Sequence, residues 1–247
     1  MGYTIAIAGK GGTGKTTIAA LIIRLIKEKR LGSVLGVDAD PNSNLGEALG
    51  FKPEQTIGKV LDEISAHPEK IPAGMTKDRF IEYQVQTIIQ EGDGFDLLTM
   101  GKPEGPGCYC YVNNVLRNIM GKTIKDYDFA VIDNEAGLEH LSRKTTASCD
   151  ALVVISDSTV AGLRAAFRIS ELVADLKIKA KKKLLLVNRF AKNIAKGTIK
   201  NSGLDYTGHI PEDKTIARIS ADGSALWGLK NNSAAFKALD DLLKKII

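Results

Sequence analysis

The chain is short of long apolar runs. Its apolar runs, such as those at 151–155 and 184–187, are far too short to span a bilayer. It also lacks a basic stretch followed by an apolar core at its start, entering an apolar segment at Tyr3 instead. A cytoplasmic protein is therefore expected rather than a secreted one. Cysteine is scarce: three residues, an odd number, cannot all pair with one another. In a cytosolic chain, closely spaced cysteines more often bind metal or do chemistry than form a disulfide. The net charge of +5 is mild, and much of it lies in residues 177–183. No aromatic residues interleave there, so a solvated helix end and connecting turn is expected and no nucleic-acid track. Internal repeats, low-complexity stretches and linkers are all missing, which predicts one domain over residues 1–247.

What is present is alternation. Short apolar segments at 3–8, 33–38, 95–100, 128–133, 151–156, 183–188 and 205–210 read as strands, several apolar on both faces. Amphipathic stretches at 15–30, 77–90, 111–121, 159–176 and 232–246 read as helices. The pattern predicts an α/β fold with a mostly parallel central sheet of about seven or eight strands flanked by helices. Ligands of such sheets sit outside the carboxyl ends of the strands, where the distinctive residues of this chain fall.

Gly9-Lys10-Gly11-Gly12-Thr13-Gly14-Lys15-Thr16 follows the first strand and opens the first helix, fitting G-x-x-x-x-G-K-[ST] in the context that motif requires. Its glycines let backbone N–H groups close around phosphate oxygens, and the helix N-terminus adds partial positive charge. Lys15 supplies a cation to the β- and γ-phosphates. The Thr16 hydroxyl is placed for Mg²⁺, and Thr17 continues the nucleotide-binding run. ATP with Mg²⁺ is the expected ligand.

With Lys10 near its start, this loop resembles the deviant Walker A ATPases, the class of MinD, ParA and the nitrogenase iron protein. The resemblance implies that Lys10 reaches across a dimer interface to the partner's nucleotide, so that hydrolysis depends on dimerisation. It further implies that Asp38-Ala39-Asp40-Pro41 lies at switch I. Asp40 would orient the attacking water, with Asp38 near the magnesium. Asp133, ending an apolar strand, would hold Mg²⁺ through water, and Asn134-Glu135-Ala136-Gly137 would be switch II. By the same likeness Asn188-Arg189 and Pro211-Glu212 are the adenine-contacting segments. Catalysis is thus expected of Lys10, Lys15 and Asp40.

Gly105-Pro106-Gly107-Cys108-Tyr109-Cys110 follows the third expected strand. Cys108 and Cys110 are too close for an easy mutual disulfide, yet their thiolates can grip one metal ion. Two thiolates leave a tetrahedral site half made, and a two-fold dimer would supply four. The plainer alternative is two semi-buried loop cysteines. Cys149, ahead of the fifth expected strand, reads as a small buried residue.

The deviant loop, the Asp38–Asp40 pair, Gly-Cys-Tyr-Cys and Asp133-Asn134-Glu135-Ala136-Gly137 with Glu139-His140-Leu141-Ser142-Arg143 together resemble the CooC family. These are nickel-insertion ATPases that mature carbon monoxide dehydrogenase or, in a close branch, acetyl-CoA synthase. The resemblance covers nearly the whole chain. It implies a homodimer binding one Ni²⁺ through the CxC cysteines of both subunits, and a nickel-enzyme client. Zn²⁺ suits the same thiolate set.

Two other classes share such a loop. A MinD/ParA-like positioning ATPase would cycle on membrane or DNA, but the C-terminal helix backs Phe236, Leu239, Leu242, Leu243 and Ile246 with a polar face of mixed sign. That face suits docking on the sheet better than anionic lipid. An ATP-gated [4Fe–4S] reductase would take a second cysteine ligand near switch II, where this chain has His140. Neither membrane nor nucleic acid is an expected partner.

Overall fold

The computed structural model describes residues 2–102, 121–135, 148–190 and 203–247. Eight strands form one sheet: β1 (Tyr3–Gly9), β2 (Val34–Ala39), β3 (Gln90–Glu91), β4 (Asp96–Thr99), β5 (Phe129–Asn134), β6 (Ser148–Ser156), β7 (Lys179–Phe190) and β8 (Asp205–Pro211). Their order is β3-β4-β2-β5-β1-β6-β7-β8. All neighbours run parallel except the short β3, which pairs antiparallel with β4. The expected α/β architecture with a mostly parallel sheet is therefore present.

Alternation along the strands sorts the core into layers. Ile5, Ile7, Val131, Val153 and Leu186 face one side, where they pack under α1 (Lys15–Glu28) and the C-terminal helix. On the other side, Leu35, Val37, Leu98 and Ile132 meet α3 (Ile57–Ala66) and α4 (Lys77–Thr87). Ala6, Leu152, Val154 and Leu185 meet α5 (Val160–Asp175) on that same side. The small α2 (Asn44–Ala48) follows β2, α6 (Lys214–Ala221) follows β8, and α7 (Ala234–Ile246) closes the chain. As expected, α7 buries Phe236, Leu239, Leu242, Leu243 and Ile246 against the sheet. Among the described residues no helix is long and apolar enough to cross a membrane.

Helix α1 is apolar nearly all round because it lies beneath α2 and α7. Ile18 through Ile26 are buried without a break, including Arg24. Beyond Glu28 the chain turns at Arg30, a non-glycine residue with φ 52°. There Leu31 N–H bonds Ile26 O and Arg30 N–H bonds Lys27 O, the paired bonds of a Schellman stop.

Several expectations need correction. The basic run at 177–183 is not a helix end and turn. Only Lys177 is the turn, at φ 54°, and from Lys179 the chain is already β7, paired with β6 from Ser148↔Lys179. Cys149 does not precede a strand but sits inside β6, buried and unpaired, with burial pushing its thiol up to about 12. The helix expected over 77–90 ends at Thr87, since Gln90 and Glu91 pair with β4. Helices α2, α3 and α6 were not anticipated. Nearly all of the helix expected over 111–121 lies outside the described residues.

One cation knits α1 to the end of the chain. Arg24, 4% exposed, donates to the carbonyls of Leu226 (2.8 Å) and Leu229 (2.7 Å) and to Asn231 Oδ1 (2.5 Å), and pairs with Glu28 at 2.7 Å. Its guanidinium lies over the Phe236 ring at 4.7 Å. Trp227, beside it, donates its indole N–H to Leu49 O at 2.7 Å and so holds the end of α2. Arg24→Met keeps the bulk but strands two buried carbonyls. It is expected to cost about 3 kcal/mol, read as a lower urea midpoint at unchanged slope.

Candidate nucleotide site

The site assembles at the carboxyl ends of β1, β2 and β5, beside the point where strand order reverses around β1. Gly12 (φ 75°) and Gly14 (φ 90°) take left-handed conformations that a Cβ would make costly, and they let the loop fold back before α1 begins. Thr13 pins it from within, its hydroxyl donating to Lys10 O at 2.9 Å and its N–H reaching the same oxygen at 3.3 Å. Gly9 ends β1, and Lys10, Gly11 and Gly12 are exposed at the loop's rim. Lys15 is buried, its Nζ 3.5 Å from Lys10 O. Burial lowers the Lys15 amine below the usual lysine range, against an opposing pull from Asp133, Asp40 and Glu135.

Asp38 and Asp133 are register partners on adjacent parallel strands, both essentially without exposure. Burial pushes Asp133 up to about 6, with the Thr16 hydroxyl bond and the Lys15 charge opposing the rise. Asp38 is pushed higher, to about 7, by burial and then by the charge on Asp133. Asp133 thus ionises first and makes Asp38 harder to ionise. The two differ in partners. Asp38 spends both oxygens on backbone, accepting from Asp40 N–H at 3.2 Å and Leu45 N–H at 2.8 Å, which fixes the start of α2. Asp133 Oδ1 is buried with no hydrogen-bond partner. An oxygen in that state, next to the Thr16 hydroxyl, suits a hard cation such as Mg²⁺.

Asp40 is half-buried in the turn between β2 and α2, where its Oδ1 accepts from the backbone and side-chain N–H groups of Asn42, both at 2.9 Å. Asn188 and Arg189, at the end of β7, reach the loop directly: Asn188 Nδ2 donates to Thr13 O at 2.9 Å, and Arg189 donates to Gly12 O. Pro211 ends β8 opposite Phe190, so the segments at 188–189 and 211–212 share one corner, with Glu212 exposed. Thr16 and Thr17 begin α1, half-buried. Sixteen of the eighteen expected site residues thus fall at this edge. Cys108 and Cys110 lie outside the described residues, as do Gly137 and His140. Among the described residues no group of three or more His, Cys, Asp or Glu is placed to hold a metal ion.

Two residues carry roles that sequence reasoning missed. Asn134 donates its amide to Ile7 O at 2.8 Å, stitching the end of β5 to β1. Thr99 continues the Asp133–Asp38 row onto β4, its hydroxyl buried without a partner. Nothing in an apolar Leu-Leu-Thr-Met run signals either register or burial.

The family profile for the CobQ/CobB/MinD/ParA nucleotide binding domain matches residues 4–226. An uncharacterized ATP-binding protein of Methanocaldococcus jannaschii is 43% identical over 248 residues, 98% of either chain. The carbon monoxide dehydrogenase accessory protein CooC of Rhodospirillum rubrum is 29% identical over 245 residues, 91% of this chain and 89% of its own. Among solved structures, septum site-determining protein MinD of Pyrococcus horikoshii, complexed with Mg-ADP, superposes with a TM-score of 0.75 at 20% identity, covering 100% of this chain and 96% of that one. The chain belongs to the CobQ/CobB/MinD/ParA nucleotide-binding family and is a P-loop ATPase of the MinD/ParA type.

The buried carboxylates set a pH dependence. A carboxyl whose folded pKa is raised contributes stability that is complete below its unfolded value and is lost as pH rises through the folded one. For Asp133 that window runs from its ordinary 3.8 up to about 6. With magnesium and nucleotide removed, Asp133→Asn should be more stable than wild type by about 3 kcal/mol at pH 7.5. The advantage should vanish near pH 4 in urea melts across the range, because Asp133 is then neutral anyway.

Proposed function

We propose that this ATPase inserts metal: it hydrolyses MgATP as a two-fold dimer, captures Ni²⁺ at Cys108 and Cys110 of both subunits, and delivers it to a nickel enzyme, carbon monoxide dehydrogenase or acetyl-CoA synthase. The observation that carries the proposal is where Cys108-Tyr109-Cys110 falls in the chain. It lies on the connection that follows β4, and β4 is the neighbour of β2, whose end bears Asp38 and leads into Asp40. Nucleotide-dependent change at that edge would be felt at the cysteines. The likeness to CooC across 91% of the chain accords with it.

In this reading Gly9 to Thr17 enclose the phosphates, and Lys15, drawn down by burial, neutralises the γ-phosphate. Lys10, exposed at the rim, is available to the partner's nucleotide. Asp40 orients the attacking water, while Asn188, Arg189, Pro211 and Glu212 border the adenine. Thr16 and Asp133 would hold a magnesium ion, with Asp38 behind them, and bound there it would supply positive charge against the phosphates. Nickel is cargo here, and Zn²⁺ is its natural competitor for thiolates. The client is a protein, and neither membrane nor nucleic acid takes part.

Anaerobic titration with Ni²⁺ should give one thiolate-ligated ion per two chains, lost in Cys108→Ser and in Cys110→Ser. Lys10→Ala should reduce ATP turnover at least about a hundredfold, as removal of a trans-acting cation does. One ion per chain retained by monomer, or nickel binding untouched by both cysteine substitutions, would overturn the shared site.

A further inference from the structure

We propose that Asn188 and Arg189 are positioning residues for the phosphate-binding loop itself, holding it in shape whatever the ligand's base. The inference rests on the nucleotide reading of the loop and goes beyond the adenine role assigned above. Three successive loop residues are fitted against these two, which lie more than 170 positions away in the chain. Thr13 O accepts from Asn188 Nδ2 at 2.9 Å in a buried bond, and Gly12 O accepts from the Arg189 guanidinium. A Cβ on Gly14 would stand 2.4 Å from Asn188 Nδ2, so the loop approaches as closely as a bare backbone allows.

The two residues are themselves fixed for this task. Asn188 is 7% exposed, and its Oδ1 accepts the Arg189 N–H at 2.9 Å, which sets the amide so that Nδ2 faces Thr13. Arg189 adopts φ 51°, a left-handed conformation that costs a non-glycine residue energy and sends its side chain back over the loop.

The consequence follows from the planar peptide. In a trans unit the carbonyl of one residue and the N–H of the next point in opposite directions. Tying Thr13 O outward to Asn188 turns the Gly14 N–H inward, toward the phosphate position. Tying Gly12 O to Arg189 turns the Thr13 N–H away from the guanidinium, where it meets Lys10 O at 3.3 Å. A loop with two left-handed glycines has many other conformations open to it, and each is a competitor for anion binding. The β7 end removes them before any ligand arrives.

Inorganic tripolyphosphate with Mg²⁺, which has no base, separates this role from adenine recognition. Asn188→Ala, the near-isosteric Asn188→Leu and Arg189→Lys all preserve charge, so none changes the long-range attraction for an anion. Calorimetry should show both Asn188 variants weakening tripolyphosphate and ATP by the same factor, about tenfold, the worth of one buried hydrogen bond. Arg189→Lys, at an exposed site, should weaken both about threefold. Hydrogen exchange in the nucleotide-free Asn188 variants should accelerate over residues 10–16 and stay at wild-type rates in β5 and β6. Loss of ATP affinity with tripolyphosphate unchanged would overturn the positioning role and leave a base contact. Acceleration throughout the sheet would overturn it in favour of general destabilisation. Wild-type protein that binds neither ligand would instead defeat the nucleotide reading beneath it.

Discussion

Two carboxylates from adjacent parallel strands are held side by side, out of water, beneath a loop built for anions. Asp38 and Asp133 repel one another and are starved of solvent, a placement that costs folding free energy and is made tolerable by what surrounds them. Lys15 and Thr16 come from the start of α1, the Asp40 N–H from the turn after β2 and the Leu45 N–H from the start of α2. Each compensation ties a separate piece of chain to the same point. The strand ends, the loop and the turn after β2 are thereby organised around one patch of buried negative charge. A divalent cation is its natural complement, and the fold tolerates the unfavourable arrangement as a local conflict of the kind functional sites retain.

The rest of the molecule keeps that patch rigid. Helix α1 is packed from Ile18 to Ile26 and bolted through Arg24 to the segment before α7. That segment in turn holds the end of α2 through Trp227. Helix α2 is fixed at both ends, by Asp38 at its start and by the indole at its finish, with Leu45 and Leu49 buried between. The turn from Asp40 to Ser43 is the looser part: Asn42 is exposed and Ser43 sits at φ 56°. Any change of shape in this turn would be confined to four residues by the packing of their neighbours.

Much of this was legible in the sequence, for identifiable reasons. Seven strands showed themselves because a buried parallel strand is a short apolar run, and the loop showed itself because phosphate binding needs glycine and lysine at fixed spacing. Strand β3 was invisible: two polar residues, Gln90 and Glu91, pair with β4 only because the turn at Gly94 brings them there. Residues 179–183 looked like a solvated turn because five positions hold four lysines, yet period-two placement and pairing with β6 make them strand. Helix α2 is five residues long and depends on the Asp38 side chain and Trp227, both tertiary contacts without a local signal. Within the site, residue types were readable and partners were not. Asn188 reads as a base contact in one dimension, and its bond to Thr13 is visible only in three.

The single tryptophan gives the chain an optical property. Trp227 has its indole N–H on Leu49 O, its ring 5.5 Å from Phe95, and the Lys27 ammonium 4.7 Å from its ring centroid. All indole emission from this protein thus originates at the junction of α1, α2 and the C-terminal segment, none of it from the carboxyl edge where the phosphates sit. A colour shift on adding ligand reports a change that has reached this junction. A constant spectrum during turnover reports a junction left undisturbed by events at the phosphates.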